Sequence, residues 1–215
     1  MAQRKAAIEM SLGFIVTVVF AIVMLSLALT WLRGMIGGIT GVTEDLTQQA
    51  QSNLRDAFRE TGANFAVWPS QYELDRGAGI IMQAGLENDA PDGSSHYFKI
   101  NVAPSAVSEG VCSGGDPASA GCTGPGGQNM VDYMNTWITF DRGPSTVAIN
   151  TVGFKRLDIT IPSEARSGTY MFNVLACYDA TANPTMTDVP AVCDPLTTPI
   201  NKFWGNPQPV VIIVR

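Results

Sequence analysis

Four cysteines, one histidine and a short acidic run are the residues of this 215-residue chain whose types and spacing invite a chemical role. Cys112, Cys122, Cys177 and Cys193 all lie in the second half of the sequence. An even number in an extracytoplasmic region reads as two disulfides, with three pairings possible. The expectation is local pairing, Cys112 with Cys122 and Cys177 with Cys193, because each pair brackets a loop without periodicity, one rich in Gly, Ser and Pro, the other in Thr, Asp and Pro. Closing loops near this length contributes roughly 3 kcal/mol. A zinc site needs a Cys-x-x-Cys pair or clustered histidines, and the sequence has neither, so no metal is expected. His96 lies in an alternating strand with no serine or cysteine identifiable as a nucleophile beside it and reads as a solvent-facing or capping residue, so no catalytic residue is assigned. Glu87-Asn-Asp-Ala-Pro-Asp92 offers oxygen ligands that suit calcium but lacks the regular acid spacing of a calcium loop, and reads as an acidic solvated turn. No Gly-x-Ser-x-Gly, phosphate loop or dinucleotide fingerprint is present, so no cofactor is implied and an enzyme is not expected. The one Asn-x-Thr triplet, Asn183-Pro184-Thr185, carries the proline that blocks glycosylation.

The elements that would position these residues begin with an uncharged stretch. Ser11–Leu32 runs 22 residues without a charge, in a chain that is 46% hydrophobic and only 15% charged. At ~1.5 Å per helical residue it spans roughly 33 Å, enough for a hydrocarbon core of ~30 Å. It is longer than the apolar core of a cleavable secretory signal and runs into Trp31-Leu32-Arg33 rather than a small-residue cleavage site. Arg4 and Lys5 precede it, while Arg33, Glu44 and Asp45 follow, which places the N-terminus in the cytoplasm and Gly34 onward outside. Beyond Arg33 the chain keeps 10 basic and 18 acidic residues. That balance excludes a nucleic-acid binder, whose phosphate affinity comes from clustered Lys and Arg.

Arg4-Lys5-Ala6, then Ala7-Ile8-Glu9, then the apolar run resemble the short leader and N-terminal helix of type IV pilin-like proteins, archaeal ones above all. In that family a peptidase cuts before the apolar helix, which then builds the filament core. The resemblance implies cleavage between Ala6 and Ala7, and an assembly role for Glu9 toward a neighbour's amino group. Ala6 stands where glycine is usual, and Glu9 lies nearer the cut than in bacterial pilins. The resemblance covers about 35 residues and implies a homo-oligomer formed through the helix. The alternative is an uncleaved single-pass anchor held by membrane lipid, carrying an exterior binding domain or serving a membrane complex.

After the span, Gly34, Gly37, Gly38 and Gly41 predict a hinge, since each glycine costs a helix up to ~1 kcal/mol. Thr43 then reads as the N-cap of a second helix, with Leu46, Ala50, Leu54, Ala57 and Phe58 on one face until Gly62 ends it. That stripe packs either on the protein's own β domain or on neighbouring copies. From Phe65 onward short alternating runs separated by turn residues predict seven to nine antiparallel strands. Ile159-Thr-Ile-Pro162 followed by Gly168-Thr-Tyr-Met-Phe-Asn-Val174 resembles the last strands of immunoglobulin-like domains in prokaryotic surface proteins, which gives Tyr170 a structural role, its hydroxyl bonded to backbone. The expected organisation is a cytoplasmic stub or leader over 1–10, a membrane or filament-core helix over 11–33, a hinge and stalk over 34–62, and an immunoglobulin-like β-sandwich over 63–215. The expected fold is mainly β, and the expected function is that of a structural cell-surface subunit, at the membrane or in an extracellular filament.

Overall fold

The computed structural model describes residues 2–181, 185–191, 193, 194 and 196–215, and within the long N-terminal helix it describes side chains at 13–28 and from 48 onward. The chain divides into two compact units, one ending at Leu46 and the other comprising Thr47–Arg215. Helix α1 runs Ala2–Thr61. The glycines at 34, 37, 38 and 41 therefore do not interrupt it, and no second helix begins at Thr43. Glycine lowers helix stability but keeps its N–H for the ladder, unlike proline, so a long helix can carry several. Gly62 does end it, at φ 63°, with its N–H donating to the Phe58 carbonyl at 2.9 Å. A residue without Cβ is favoured at such a left-handed cap.

The second unit is mainly β. Its strands are β1 (Phe65–Trp68), β2 (Gln71–Leu74), β3 (Gly79–Glu87), β4 (His96–Val107), β5 (Ile138–Phe140), β6 (Ser145–Val147), β7 (Val152–Thr160), β8 (Gly168–Tyr178) and β9 (Gln208–Val214). They form a four-stranded sheet, β1-β3-β7-β5, and a five-stranded sheet, β2-β9-β8-β4-β6. The pairings are antiparallel except that β2 runs parallel to β9, Gln71 opposite Val211 through Leu74 opposite Val214. The sequence pattern predicts antiparallel strands throughout and misses this one, because alternation fixes which face is buried but not which strand lies alongside. Only Pro69 and Ser70 separate β1 from β2, yet the two belong to different sheets, so the chain crosses the sandwich edge there.

Between the sheets lies one core, built from the alternating faces of Met82, Ala84 and Leu86, of Phe98, Ile100 and Val102, of Leu157 and Ile159, of Tyr170, Phe172 and Val174, and of Val210, Ile212 and Val214. Trp137 fills its centre, 4.5 Å from the Tyr170 ring and 5.4 Å from Tyr133. Tyr133 lies on a short helix, α2 (Met130–Asn135), that strand periodicity does not foretell. Asn129 caps it by accepting from the Val131 N–H at 2.8 Å, and Asp132 in its first turn completes a start signal legible in the sequence.

Strand β3 departs from simple alternation, since Gln83 and Gly85 are buried along with their inward-facing neighbours. The end of α1 explains this. Ala50, Leu54 and Phe58, spaced by four, are all buried, and an added Cβ at Gly85 would lie 3.2 Å from Leu54 Cδ1 and from Phe58 Cε2 and Cζ. The helix sits directly over the Gly85 backbone, where any side chain would hold it off. Arg55 extends over the Phe154 ring, 5.5 Å from its centroid, on the strand beside Gly85. Of the two expected destinations for this apolar stripe, the protein's own β domain receives Ala50, Leu54 and Phe58.

Candidate functional site

Residues 13–28 of α1 carry exposed side chains on every side of the helix. Eleven of them are large and apolar, with exposures between 40% at Val18 and 71% at Phe14. The two hydroxyls in the segment need no water, because Thr17 Oγ1 donates to the Gly13 carbonyl at 2.9 Å and Ser26 Oγ to the Ile22 carbonyl at 2.9 Å. Such bonds to the preceding turn are how polar side chains satisfy themselves in dry surroundings. Among the described residues no helix is long and apolar enough to cross a membrane. Ala6, Ala7 and Glu9 lie on the α1 backbone, and their side chains, like those of Arg4 and Lys5, fall outside the described residues.

The cysteines form Cys112–Cys122 and Cys177–Cys193, the two local pairs. Cys112–Cys122 ties the loop after β4, while Cys177 near the end of β8 holds the base of the connection toward β9. Tyr170 is fully buried and its hydroxyl donates to the Arg166 carbonyl at 2.8 Å. Burial pushes that phenol up to about 12.

His96 corrects the sequence reading. It is neither solvent-facing nor a cap but is buried, 2% exposed, at the start of β4. Its Nδ1 lies 2.5 Å from Asp179 Oδ1, and its Nε2 lies 3.0 and 3.1 Å from the two carboxylate oxygens of Asp92. Asp179, just past β8, is completely buried, and its second oxygen accepts the Tyr97 N–H at 2.8 Å. Tyr178 meets the imidazole edge-on at 5.5 Å between ring centroids. Burial pushes the imidazole pKa down, but the bonds to Asp179 and Asp92 outweigh it and hold it above the ordinary 6.5. The bond from His96 in turn holds Asp92 below the usual carboxylate range.

The acidic turn is correspondingly more than a solvated loop. Asn88 is buried and donates to the Ser94 carbonyl at 3.0 Å and the Val147 carbonyl at 2.8 Å, while Asp92 turns in to the histidine. Asp179 stands 83 residues from His96, a separation no local motif reveals; Asp92 lies only four residues upstream, but alternation and turn composition do not pair it with the histidine. Because the two acids bond opposite nitrogens of one ring, the three groups do not converge on a point where an ion would sit. Among the described residues no group of three or more His, Cys, Asp or Glu side chains is arranged to hold a metal. A cleft of about 350 Å³ between the end of α1 and the β3 and β7 termini is lined by Arg55, Phe58, Arg59, Glu87, Asn150, Thr151 and Val152, and His96 is not among them.

No family model matches the chain, and no curated protein does. Solved structures resemble it at low similarity. A family 123 glycoside hydrolase from Clostridium perfringens aligns at 10% identity with a TM-score of 0.35, covering 68% of this chain and 23% of the hydrolase. The E. coli chaperone DraB aligns at 7% identity and a TM-score of 0.32, over 71% of this chain and 55% of that one. A chain from structural work on T cell specificity and activation by the bacterial superantigen toxic shock syndrome toxin-1 aligns at 11% identity and a TM-score of 0.31, over 72% of this chain and all of that one. At these scores neither fold family nor activity passes to this chain.

Proposed function

We propose that this protein is a structural cell-surface subunit of the type IV pilin-like kind, which assembles into an extracellular filament by packing its N-terminal apolar helix against copies of itself. The observation that carries the reading is the segment 13–28, apolar and exposed around the whole helix, with both hydroxyls satisfied internally. A helix apolar on all sides is stable only inside lipid or among other apolar helices. Gly13, with open space where a Cβ would stand, and the small residues Ala21, Ser26 and Ala28 favour close helix contacts. The exterior unit is read as an immunoglobulin-like domain. Its support is the sheet orders, the parallel β2–β9 edge, and the Tyr170 hydroxyl bonded four residues back at the start of β8. The order of β5 and β6 departs from that pattern, since the chain visits the first sheet before returning to the second.

Arg4 and Lys5 decide between filament and anchor. While they are retained, extraction into a filament would draw two charges through hydrocarbon at ~2.5–3.5 kcal/mol each. N-terminal sequencing and intact mass of the protein from its native cells test the proposal. The expected result is a mature chain starting at Ala7 and found in sheared filaments. A membrane-bound chain retaining Arg4 and Lys5 overturns it in favour of a single-pass anchor.

A further inference from the structure

His96 holds two carboxylates with one ring, and a carboxylate oxygen brings no proton of its own. Each contact therefore requires an N–H on the imidazole, and only the protonated ring carries both. The two acids are not equivalent. Asp179 is buried completely, with Tyr97 N–H on its other oxygen, whereas the Asp92 side chain is 34% exposed and sits in the β3–β4 connection. The other titratable group facing the ring is Tyr178 on β8, which burial keeps protonated over the working range. Strand β6, paired beside His96, contributes only Ser145, Thr146 and Val147. Lys99, further along β4, is turned away and donates to the Ala191 carbonyl.

We propose that His96 is a proton-operated latch, which when protonated fastens the β3–β4 connection to the sandwich through Asp92 and when neutral releases that arm alone. The order of release follows from burial. Losing the Nδ1 proton would strand the Asp179 carboxylate without water, which is the more expensive alternative. The Nε2 proton leaves instead, and its lone pair then faces the Asp92 oxygens across about 3 Å. Asp92 has solvent to turn into. The freed stretch is bounded on both sides: Asn88 stays tied to Val147 and keeps the Ser94 carbonyl at 3.0 Å, and His96 stays tied to Asp179 and to its β4 register opposite Val147. Because the folded imidazole pKa lies above its ordinary value, the latch is shut in mild acid and opens toward alkaline pH.

Hydrogen exchange of the full chain in detergent micelles, measured by mass spectrometry from pH 5.5 to 9 and corrected for intrinsic exchange, tests the latch. Protection of the peptide covering 91–95 is expected to fall at least tenfold across the His96 titration, while β8 and β9 amides hold theirs. Asp92→Ala is expected to leave that peptide unprotected at every pH. Asp92→Asn should abolish the step yet keep protection at high pH, because its amide donates to the bare Nε2. Absence of a step in the parent chain, or a step unchanged in Asp92→Asn, overturns the proposal.

Discussion

Replacing Phe58 by alanine examines how the end of α1 is held. Phe58 is 3% exposed and presses, with Leu54, on the bare backbone of Gly85, so truncation removes most of a ring's packing and opens a void above β3. Buried Phe→Ala changes cost about 3–5 kcal/mol. For a domain of this size each kcal/mol moves the thermal midpoint by about 2–4 °C, so the loss should be about 6–20 °C. The complementary change, Gly85→Val, puts a Cβ 3.2 Å from three carbons of Leu54 and Phe58 and adds two methyls beyond it. Overpacking of this kind costs about 1–3 kcal/mol. Because both substitutions act on one contact, Gly85→Val should cost less in the Phe58→Ala background, with an interaction energy of about 0.5–3 kcal/mol. Thermal unfolding followed by circular dichroism of the four proteins in one detergent completes the cycle. If Phe58→Ala unfolds within 2 °C of the parent, or if the two changes simply add, the helix end does not rest on Gly85, and a stripe that meets only neighbouring copies becomes the better account.

Stability should also depend on pH with a definite sign. His96, raised in the folded state, contributes stability that is complete below its ordinary 6.5 and is lost as pH rises through the folded value; Asp92, lowered, contributes above its ordinary 3.8 and is lost as pH falls through its folded value. Urea midpoints should therefore peak between these limits, and a maximum above pH 8 contradicts the clamp. Tyr170→Phe leaves the Arg166 carbonyl without its hydroxyl donor and should cost about 1–2 kcal/mol in the same urea titration, with an unchanged midpoint denying that bond a role.

Period and punctuation in the sequence determine much of this molecule. The alternation through Phe98, Ile100 and Val102, and through Tyr170, Phe172 and Val174, marks strands and their buried faces, because a pleated strand sends successive side chains to opposite sides. Gly62 ends the helix because a left-handed cap favours glycine, and cysteines bracketing short irregular loops pair locally because short loops close readily. These are properties of neighbours along the chain. Where the signal is only a cost, as with the four glycines after the apolar run, the backbone stays helical across it. Tertiary structure alone decides the rest. Gly85 looks like an ordinary break in a strand until Leu54 and Phe58 lie on it, β2 finds a parallel neighbour at the far end of the chain, and His96 meets its buried partner Asp179 from 83 residues away. A lone histidine in an alternating strand carries no mark of its partner, since the desolvation that makes a buried charge pair consequential exists only once distant segments have closed over it.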